Sequence, residues 1–597
     1  MICSEKVHVG RSSCLLCRQV SSAGSYILDL RNNLLTVPEC KSPCAGCSYS
    51  PYPRIWFHAT CYDVLLDSFE PSEKPTSDEL ERFANATSPF YKPQREESKE
   101  SLTALEGLFS KYARGIIQES FSQDLLKKLP VEVQIIISEF IGPCWYLTVL
   151  GETNRLIRLL RTSSESQCTQ LSLTREIWMS RIRYRGISYL ARLSNKPLGS
   201  NGVSGQYCIK PTSNIKRIVM AVDCIGLRGI QFMDHDSVPS PDGSPWYEIL
   251  EAGRSCLEAN VEFNGLFVRG VRLVSDDSSP IFRIWSSPSP PKFHPWNFFH
   301  VRDNLRLTYV KFSALVQGLL VCCADGKTVG IHGFSGTSKA FRDFVDLMHQ
   351  RTSKSHRQWI YFPFNENEYI RAAWVRKFKF ISGLASNPIL LLQTSTGRTV
   401  TFGPQYPGQI ADQYEYHPLV TNGDSAISGI FHDGLDPTST SISALGVTCS
   451  GQDCAEAGPM PTGAHFEPPP VPSGRGSRSS AWYMTKASLS NLVKVKVCRD
   501  KTKPHNPCLG MLLFYGDRHI ESIGQICWQH GLTEEILKPM YVEIGYIDER
   551  GYIRNIRSGL DDPELVLQTG EWQRLPNHGT IVWWFGRFGD RIITYDD

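Results

Sequence analysis

Residues 318–334 read GLLVCCADGKTVGIHGF: an apolar run, a polar turn, and a return run. The turn Ala324-Asp325-Gly326-Lys327 has the residue types a tight hairpin needs, because glycine takes positive φ without steric cost and aspartate tolerates it. The same unit recurs at 388–404 (PILLLQTSTGRTVTFGP), 509–525 (LGMLLFYGDRHIESIGQ) and 580–596 (TIVWWFGRFGDRIITYD). The copies lie roughly 70, 120 and 70 residues apart, too irregular for a short-period solenoid or a clean propeller. A large, mainly antiparallel β region is therefore expected, built as duplicated sandwich units or as one barrel-like domain.

Reading outward, the β texture begins near Ser213. Short alternating runs follow at 215–222 (IKRIVMAV), 229–233 (GIQFM), 259–275 (ANVEFNGLFVRGVRLVS) and 282–287 (FRIWSS), punctuated by Gly, Asp and Pro. The prolines of 286–296 (SSPSPPKFHPW) remove ladder donors, so that stretch is no interior strand. Residues 450–480, rich in Gly, Pro and Ser, read as a linker or long loop between β regions at 201–449 and 481–597. Trp583-Trp584-Phe585 would place aromatics on both faces of one strand, which implies burial on both sides. NEYIRAAWVRKF (367–378) followed by ILLLQTSTGRTVTFGP (389–404) resembles part of a jacalin-related lectin. That resemblance implies a β-prism and glycan binding.

Before the β region the texture is helical. Residues 125–161 read LLKKLPVEVQIIISEFIGPCWYLTVLGETNRLIRLLR. Pro130 suits a first helical turn, where its missing N–H has no intrahelical partner. Val133, Ile136, Ile137 and Phe140 then form one apolar face, and Gly142-Pro143 stops the helix. Leu147 with Leu150, then Leu156, Leu159 and Leu160, supply two further short amphipathic turns. A helix over 101–127, with Leu105, Leu108, Tyr112 and Ile116 on one face, should lead into this stretch. Helix is also expected to continue to about Leu193 through EIWMSRIRYRGISYLARL, carrying Ile177, Ile182, Tyr189 and Leu190. On that helix Arg181, Arg183, Arg185 and Arg192 would make a local positive face, read as solvated. The leucine-proline start Leu129-Pro130 and the compact helices after it resemble an F-box. The resemblance implies docking onto a Skp-family adaptor of a cullin–RING ubiquitin ligase. Leu129, Pro130, Val133, Ile136, Ile137 and Phe140 would then meet the adaptor or pack the F-box.

The first 68 residues hold a third kind of sequence. Cys14-x2-Cys17, Cys44-x2-Cys47 and His58-x2-Cys61 are three knuckles, with Cys40 four residues before Cys44. Two ligands separated by two residues can bend onto one ion, and thiolate with imidazole suits tetrahedral Zn2+. A strand-like stretch at 26–30 (YILDL) separates the first two knuckles. One ion needs four ligands and two need eight. Cys14, Cys17, Cys44, Cys47, His58 and Cys61 are six, so Cys40, Cys3 or His8 would complete a pair. Thiolate-rich closed sites leave no open position for water, so structural zinc, one ion or two, is expected over catalytic zinc. Trp56-Phe57-His58 ahead of Cys61 resembles the element found in cross-brace zinc fingers such as PHD and LIM modules. Residues 69–100 are charged and proline-bearing, and read as a linker with a short helix around 78–84, ahead of a helical domain at 101–200.

Bulk properties bound the function. A chain of 597 residues is too long for a single core, and 41% apolar content is ordinary for a globular protein. A net charge of +3 gives no push toward nucleic acid. No run of 18 apolar residues offers a membrane span, and MICSEKVHVGRSSCLLC has no apolar segment of a secretory signal. Clustered cysteines in such a chain read as metal-binding, with the cytoplasm or nucleus as the expected place of work. No GxSxG, HExxH, GxxxxGK[ST] or kinase signature is present. Asp561, Asp562, Glu564, Asp548 and Glu549 read as solvated loops, and His332, His349 and His356 carry no metal spacing. The sequence thus reads as non-enzymatic and multidomain: a zinc-stapled module, a helical F-box-like segment and a β region. As a whole it resembles fungal F-box-like proteins, which implies an adaptor recruiting a protein substrate for ubiquitin transfer by other subunits. The alternative is an intracellular binding protein for a glycan or protein ligand, with a lectin-like β region and a structural hairpin at 125–161.

Overall fold

Tight turns with positive backbone φ set the architecture, since each returns the chain along its own edge. The computed structural model describes residues 5–9, 12–40, 44, 53, 55–91, 128–130, 132–133, 136, 145–162, 167–197, 206–211, 215–234, 237–241, 243–251, 258–274, 284–291, 297–300, 305–354, 356–378, 387–405, 414–420, 426–450, 481–547, 550–558, 571–587 and 589–596. The protein is mostly β, and its chain divides into two compact units, Met1–Ser279 and Pro280–Asp597. No described helix is long and apolar enough to cross a membrane.

The first unit opens on a four-stranded sheet, β1 (Glu5–Lys6), β2 (Tyr26–Asp29), β3 (Leu34–Thr36) and β4 (Trp56–His58), in the order β1-β3-β2-β4. The Asp29 carboxylate accepts the backbone N–H of Arg31 and of Asn33 at 2.9 and 2.8 Å, which turns β2 into β3. Helix α1 (Ala59–Asp67) leaves directly from β4. The short helix expected near 78–84 is α2 (Ser77–Thr87), started by a capping box between Thr76 and Glu79. Its Leu80, Phe83 and Ala86 are buried in the same core as Leu156, Ile157 and Leu160. Those three belong to α3 (Trp145–Thr162), which is one continuous helix in place of the two short turns read from the sequence. Arg161 clamps Glu79 through Nε and Nη2 at 2.7 and 2.9 Å, pinning α2 to the end of α3.

The helix expected through 176–193 is a β-hairpin. Ile177–Tyr184 pairs antiparallel with Ile187–Ser194, and Gln206–Ile209 pairs on its outer side. The turn is Arg185-Gly186, at φ of 54° and 77°, a left-handed pair that fits a two-residue hairpin and ends any helix. The arginines read as a helix face therefore sit on strands and a turn: Arg181 donates to the Arg228 carbonyl, and Arg192 lies over the Phe263 ring. The runs expected at 215–222, 229–233 and 259–275 are the strands Arg217–Val222, Leu227–Met233, Glu258–Phe263 and Val268–Leu273.

In the second unit all four recurring sequences are antiparallel hairpins. They pair Gly318–Ala324 with Lys327–Phe334, Ile389–Thr394 with Thr399–Phe402, Cys508–Tyr515 with Ile520–Gly524, and Thr580–Gly586 with Gly589–Tyr595. Asp325 and Gly326 have the positive φ that their residue types anticipate. Val321, Ile360, Leu390, Phe402, Val495 and Trp583 share one buried cluster that joins these hairpins. Trp583, Trp584 and Phe585 are at most 1% exposed, as expected of a strand covered on both faces. Trp583 and Phe585 face the large cluster, whereas Trp584 packs with Trp482 and Val582. A helix absent from the sequence reading, α4 (Lys339–Arg351), is capped by the Ser338 hydroxyl and buries Phe341, Phe344, Val345 and Met348.

One buried ion pair makes this unit acid-sensitive. Glu368 accepts from Arg398 Nε at 2.8 Å, Thr396 Oγ1 at 2.6 Å and Asn365 Nδ2 at 3.0 Å. Burial pushes the carboxyl up, but the hydrogen bonds from Arg398, Thr394 and Thr396 outweigh it and hold the group at about 2. A carboxyl held low in the fold stabilises above its unfolded value and loses that contribution as pH falls through the folded one. Denaturant midpoints of the wild type are expected to drop between pH 4.5 and 2, and Glu368→Gln is expected to flatten that drop. An equal slope in both proteins would show that Glu368 does not carry it.

Candidate metal centre

Two short segments meet at the edge of the amino-terminal sheet. The first is the knuckle Cys14–Cys17, closed by Cys14 N donating to the Gln19 carbonyl and Arg18 N to the Cys14 carbonyl, both at 2.9 Å. Arg18 takes φ of 62° to complete that turn. The second is the β4–α1 junction. His58 is both the last residue of β4 and the N-cap of α1, and Cys61 lies in the first helical turn. Pairing of His58 with Ile27 fixes β4 on β2, and Leu15 N donates to the Trp56 carbonyl at 2.9 Å, which docks the knuckle on β4.

The result gathers Cys14, Cys17, His58 and Cys61, whose ligand atoms all lie within 4.8 Å of one another. His58 Nδ1 is 3.3 Å from Cys17 Sγ and 3.8 Å from Cys61 Sγ, and His58 N donates to Cys14 Sγ at 3.4 Å. A tetrahedron with metal–sulfur bonds of about 2.3 Å and metal–nitrogen bonds of about 2.0 Å has edges of roughly 3.5–3.8 Å, so the spacing fits an ion. The three thiols are at most 7% exposed. Without an ion, the Cys61 thiol and then burial push the Cys14 thiol up, and burial pushes Cys17 up. Buried soft donors that disfavour one another's ionisation are what a divalent cation reverses. The amino end of α1 adds its dipole on the side of a Cys61 thiolate. This cluster could hold a metal ion.

A second group lies near β1. His8 Nδ1 is 3.3 Å from Cys40 Sγ and 3.5 Å from Cys44 Sγ, and all three donor atoms lie within 4.8 Å. Val7 N donates to the Thr36 carbonyl at 3.0 Å, so parallel pairing of β1 with β3 carries His8 to the Cys40 segment. Cys47 lies outside the described residues. The two groups alternate along the chain: His8, then Cys14 and Cys17, then Cys40 and Cys44, then His58 and Cys61. Of Cys40, Cys3 and His8, the candidates to complete a pair, His8 and Cys40 both join Cys44, and Cys3 lies outside the described residues. These are the only two such groups among the described residues.

The knuckle is tied to the rest of its unit. Arg18 Nη2 donates to Glu152 Oε2 of α3 at 2.9 Å, with the Glu152 side chain 2% exposed. The other Glu152 oxygen accepts from the Arg185 backbone at 2.7 Å, and the Arg18 guanidinium lies 5.0 Å from the centre of the Tyr184 ring.

Of the residues expected to meet an adaptor, Leu129, Pro130, Val133 and Ile136 are described and Ile137 and Phe140 are not. Val133 N donates to the Pro130 carbonyl at 3.0 Å, and 132–133 and 136 are helical. Leu129, Val133 and Ile136 are 37%, 37% and 50% exposed. The acidic residues at 548–549 and 561–564 lie outside the described residues. The three histidines set aside in the sequence do not converge: His332 stacks on Phe344, His349 sits by Gln529, and His356 pairs with Asp325. The chain matches no family model and no curated protein.

Proposed function

We propose that the chain is a non-enzymatic adaptor: its segment at 129–140 docks a Skp-family subunit of a cullin–RING ligase, and its β region holds a protein substrate. The observation that carries this reading is the exposure of Leu129, Val133 and Ile136 beside Pro130 at a helix start. Large aliphatic side chains one helical turn apart and open to water offer a surface that a partner would cover, and the leucine-proline pair selects an F-box partner. The β sheets would stack as sandwich or barrel-like layers, leaving ubiquitin transfer to other subunits, in the cytoplasm or nucleus. Zinc is the ion that suits three thiolates and one imidazole at tetrahedral spacing, and a closed set of four protein ligands gives it a structural role. A second zinc would sit at His8, Cys40 and Cys44.

The test is copurification of the full chain with a Skp-family adaptor, wild type against Leu129→Ala/Pro130→Ala. Capture by the wild type and a drop of at least about tenfold in the double variant is expected, with unchanged circular dichroism, since removing buried interface anchors costs about 1–2 kcal/mol or more. A folded wild type that retains no adaptor sinks the reading.

A further inference from the structure

We propose that the carboxy-terminal unit carries a binding site for a small organic anion with a flat apolar body, in a cavity of about 430 Å³ walled by Arg376, Lys486, Trp374 and Trp584. This goes beyond the adaptor reading and does not rest on it. The cavity lies between two sheets. One is Thr399–Phe402, Ile389–Thr394, Ile370–Phe378 and Tyr414–Val420, and the other is Trp482–Ser488, Thr580–Gly586 and Gly589–Tyr595. The sheets join where Gln405 N donates to the Trp482 carbonyl at 2.5 Å.

Arg376 is the reason to expect an anion. It is 5% exposed, and among the described residues its guanidinium donates to neutral acceptors, Gln405 Oε1 at 2.7 Å and the Pro404 carbonyl at 2.6 Å, and lies 4.4 Å from the centre of the Tyr414 ring. No carboxylate pairs with it among the described residues, and its Nε is buried without a hydrogen-bond partner. A buried cation that lacks both a counter-charge and a full set of acceptors is costly, and it persists where a ligand supplies them. Trp584 Nε1 is likewise buried without a partner, on the wall of the same cavity.

Charge on the wall points the same way. Arg376, Arg398 and Lys486 stand there with one carboxylate, Glu521. Arg398 is taken by Glu368, and Glu521 already accepts from Ser488 N at 3.1 Å and Tyr515 Oη at 3.0 Å. The wall itself thus carries more cationic residues than carboxylates. Burial pushes the Lys486 ammonium down, against the pull of Glu521, so further negative charge nearby would favour its charged form. Trp374, Leu391, Met484 and Trp584 supply apolar contact, and the volume suits a ring of phenyl or indole size bearing one oxyanion group. A neutral sugar would bring Arg376 no counter-charge.

The test uses the full chain and three probes by calorimetric titration: benzoate, phenyl phosphate and the neutral isostere benzamide. Benzoate or phenyl phosphate is expected to bind roughly ten- to hundredfold more tightly than benzamide, the usual worth of a charge-assisted hydrogen bond. Which of the two binds better identifies the oxyanion as carboxylate or phosphate. Arg376→Met is expected to abolish the preference, and Leu391→Trp, which fills the cavity and keeps the cation, to abolish binding of all three. Should Arg376→Met fail to fold, Leu391→Trp decides. Equal affinity for benzoate and benzamide, unchanged binding by Leu391→Trp, or no binding by folded wild type overturns the proposal.

Discussion

Chelating the ion proposed for the Cys14, Cys17, His58 and Cys61 group is expected to unfold the amino-terminal module and to lower the stability of the whole first unit. Structural zinc contributes on the order of 10 kcal/mol in small metal-stapled folds, because the site does not exist in the unfolded chain. Here the ligand set would tie the knuckle to the β4–α1 junction, adding to the Leu15–Trp56 backbone bond and to a core in which Leu16, Trp56 and Phe57 are buried. The loss should not stop at the module. Arg18 leaves the knuckle to reach Glu152, which also holds the Arg185 turn, so a freed knuckle strands a buried carboxylate against α3. Hydrogen exchange should therefore rise first over β2 to α1 and then along α3, with the second unit unchanged. Two metal equivalents per wild-type chain, and one in either Cys17→Ser or His8→Ala, would assign each ion to its group. Cys17→Ser should reproduce the exchange pattern of the chelated protein; His8→Ala should disturb only β1 and the Cys40 segment. A folded wild type containing less than one equivalent, or Cys17→Ser keeping its full complement, would falsify the metal-staple reading.

Sequence patterns told the hairpins but not their neighbours, and the reason differs from place to place. Asp325-Gly326 and Gly397 announce their turns because their residue types are those that take positive φ. Arg185-Gly186 hides the same turn, because arginine rarely goes left-handed, and Ile177, Ile182, Tyr189 and Leu190 then pass for a helical face. Only alternation along Ile177, Met179 and Ile182 with the following strand, set by a shift at Ser180/Arg181, reconciles those positions. Helix α4 was legible in principle: Ser338 is a cap, and Phe341, Phe344, Val345 and Met348 fall at i, i+3, i+4 and i+7. For the metal centre, local spacing located the knuckles, since a two-residue gap is a local constraint. Which knuckle meets which is a long-range matter. Cys14 finds His58 because the knuckle docks on β4 through Leu15 and Trp56, and His8 finds Cys40 through the parallel register of β1 on β3. The anion cavity had no sequence signal at all, because Arg376 and Lys486 lie 110 positions apart on different sheets.

Trp583→Ala is expected to remove about 3–5 kcal/mol from the second unit, the usual cost of emptying a fully buried aromatic site. Trp583 is 0% exposed in the central strand of its sheet, opposite Thr485 on one side and Ile592 on the other. Its ring leaves no room to collapse into. A Cβ built on Gly524 would come within 3.0 Å of Trp583 Cδ2, so the neighbouring backbone already rests on the indole, and Gly524 is held in place by Thr485 Oγ1 at 2.7 Å. Phe585, two residues on, stacks on Tyr483 at 5.8 Å and fixes the same face. A rigid wall means that the void persists, which sets the upper part of the range. Trp583→Phe separates packing from polarity. The indole N–H is buried with no hydrogen-bond partner among the described residues, so phenylalanine keeps a ring and sheds an unsatisfied donor. Its cost should stay below about 1.5 kcal/mol. Tyr546→Ala, at a position 59% exposed, should change stability by less than about 0.5 kcal/mol. Urea unfolding followed by far-ultraviolet circular dichroism measures all three. Equal losses in Trp583→Ala and Trp583→Phe would mean that the full indole volume, and not an aromatic ring as such, holds the strand in place.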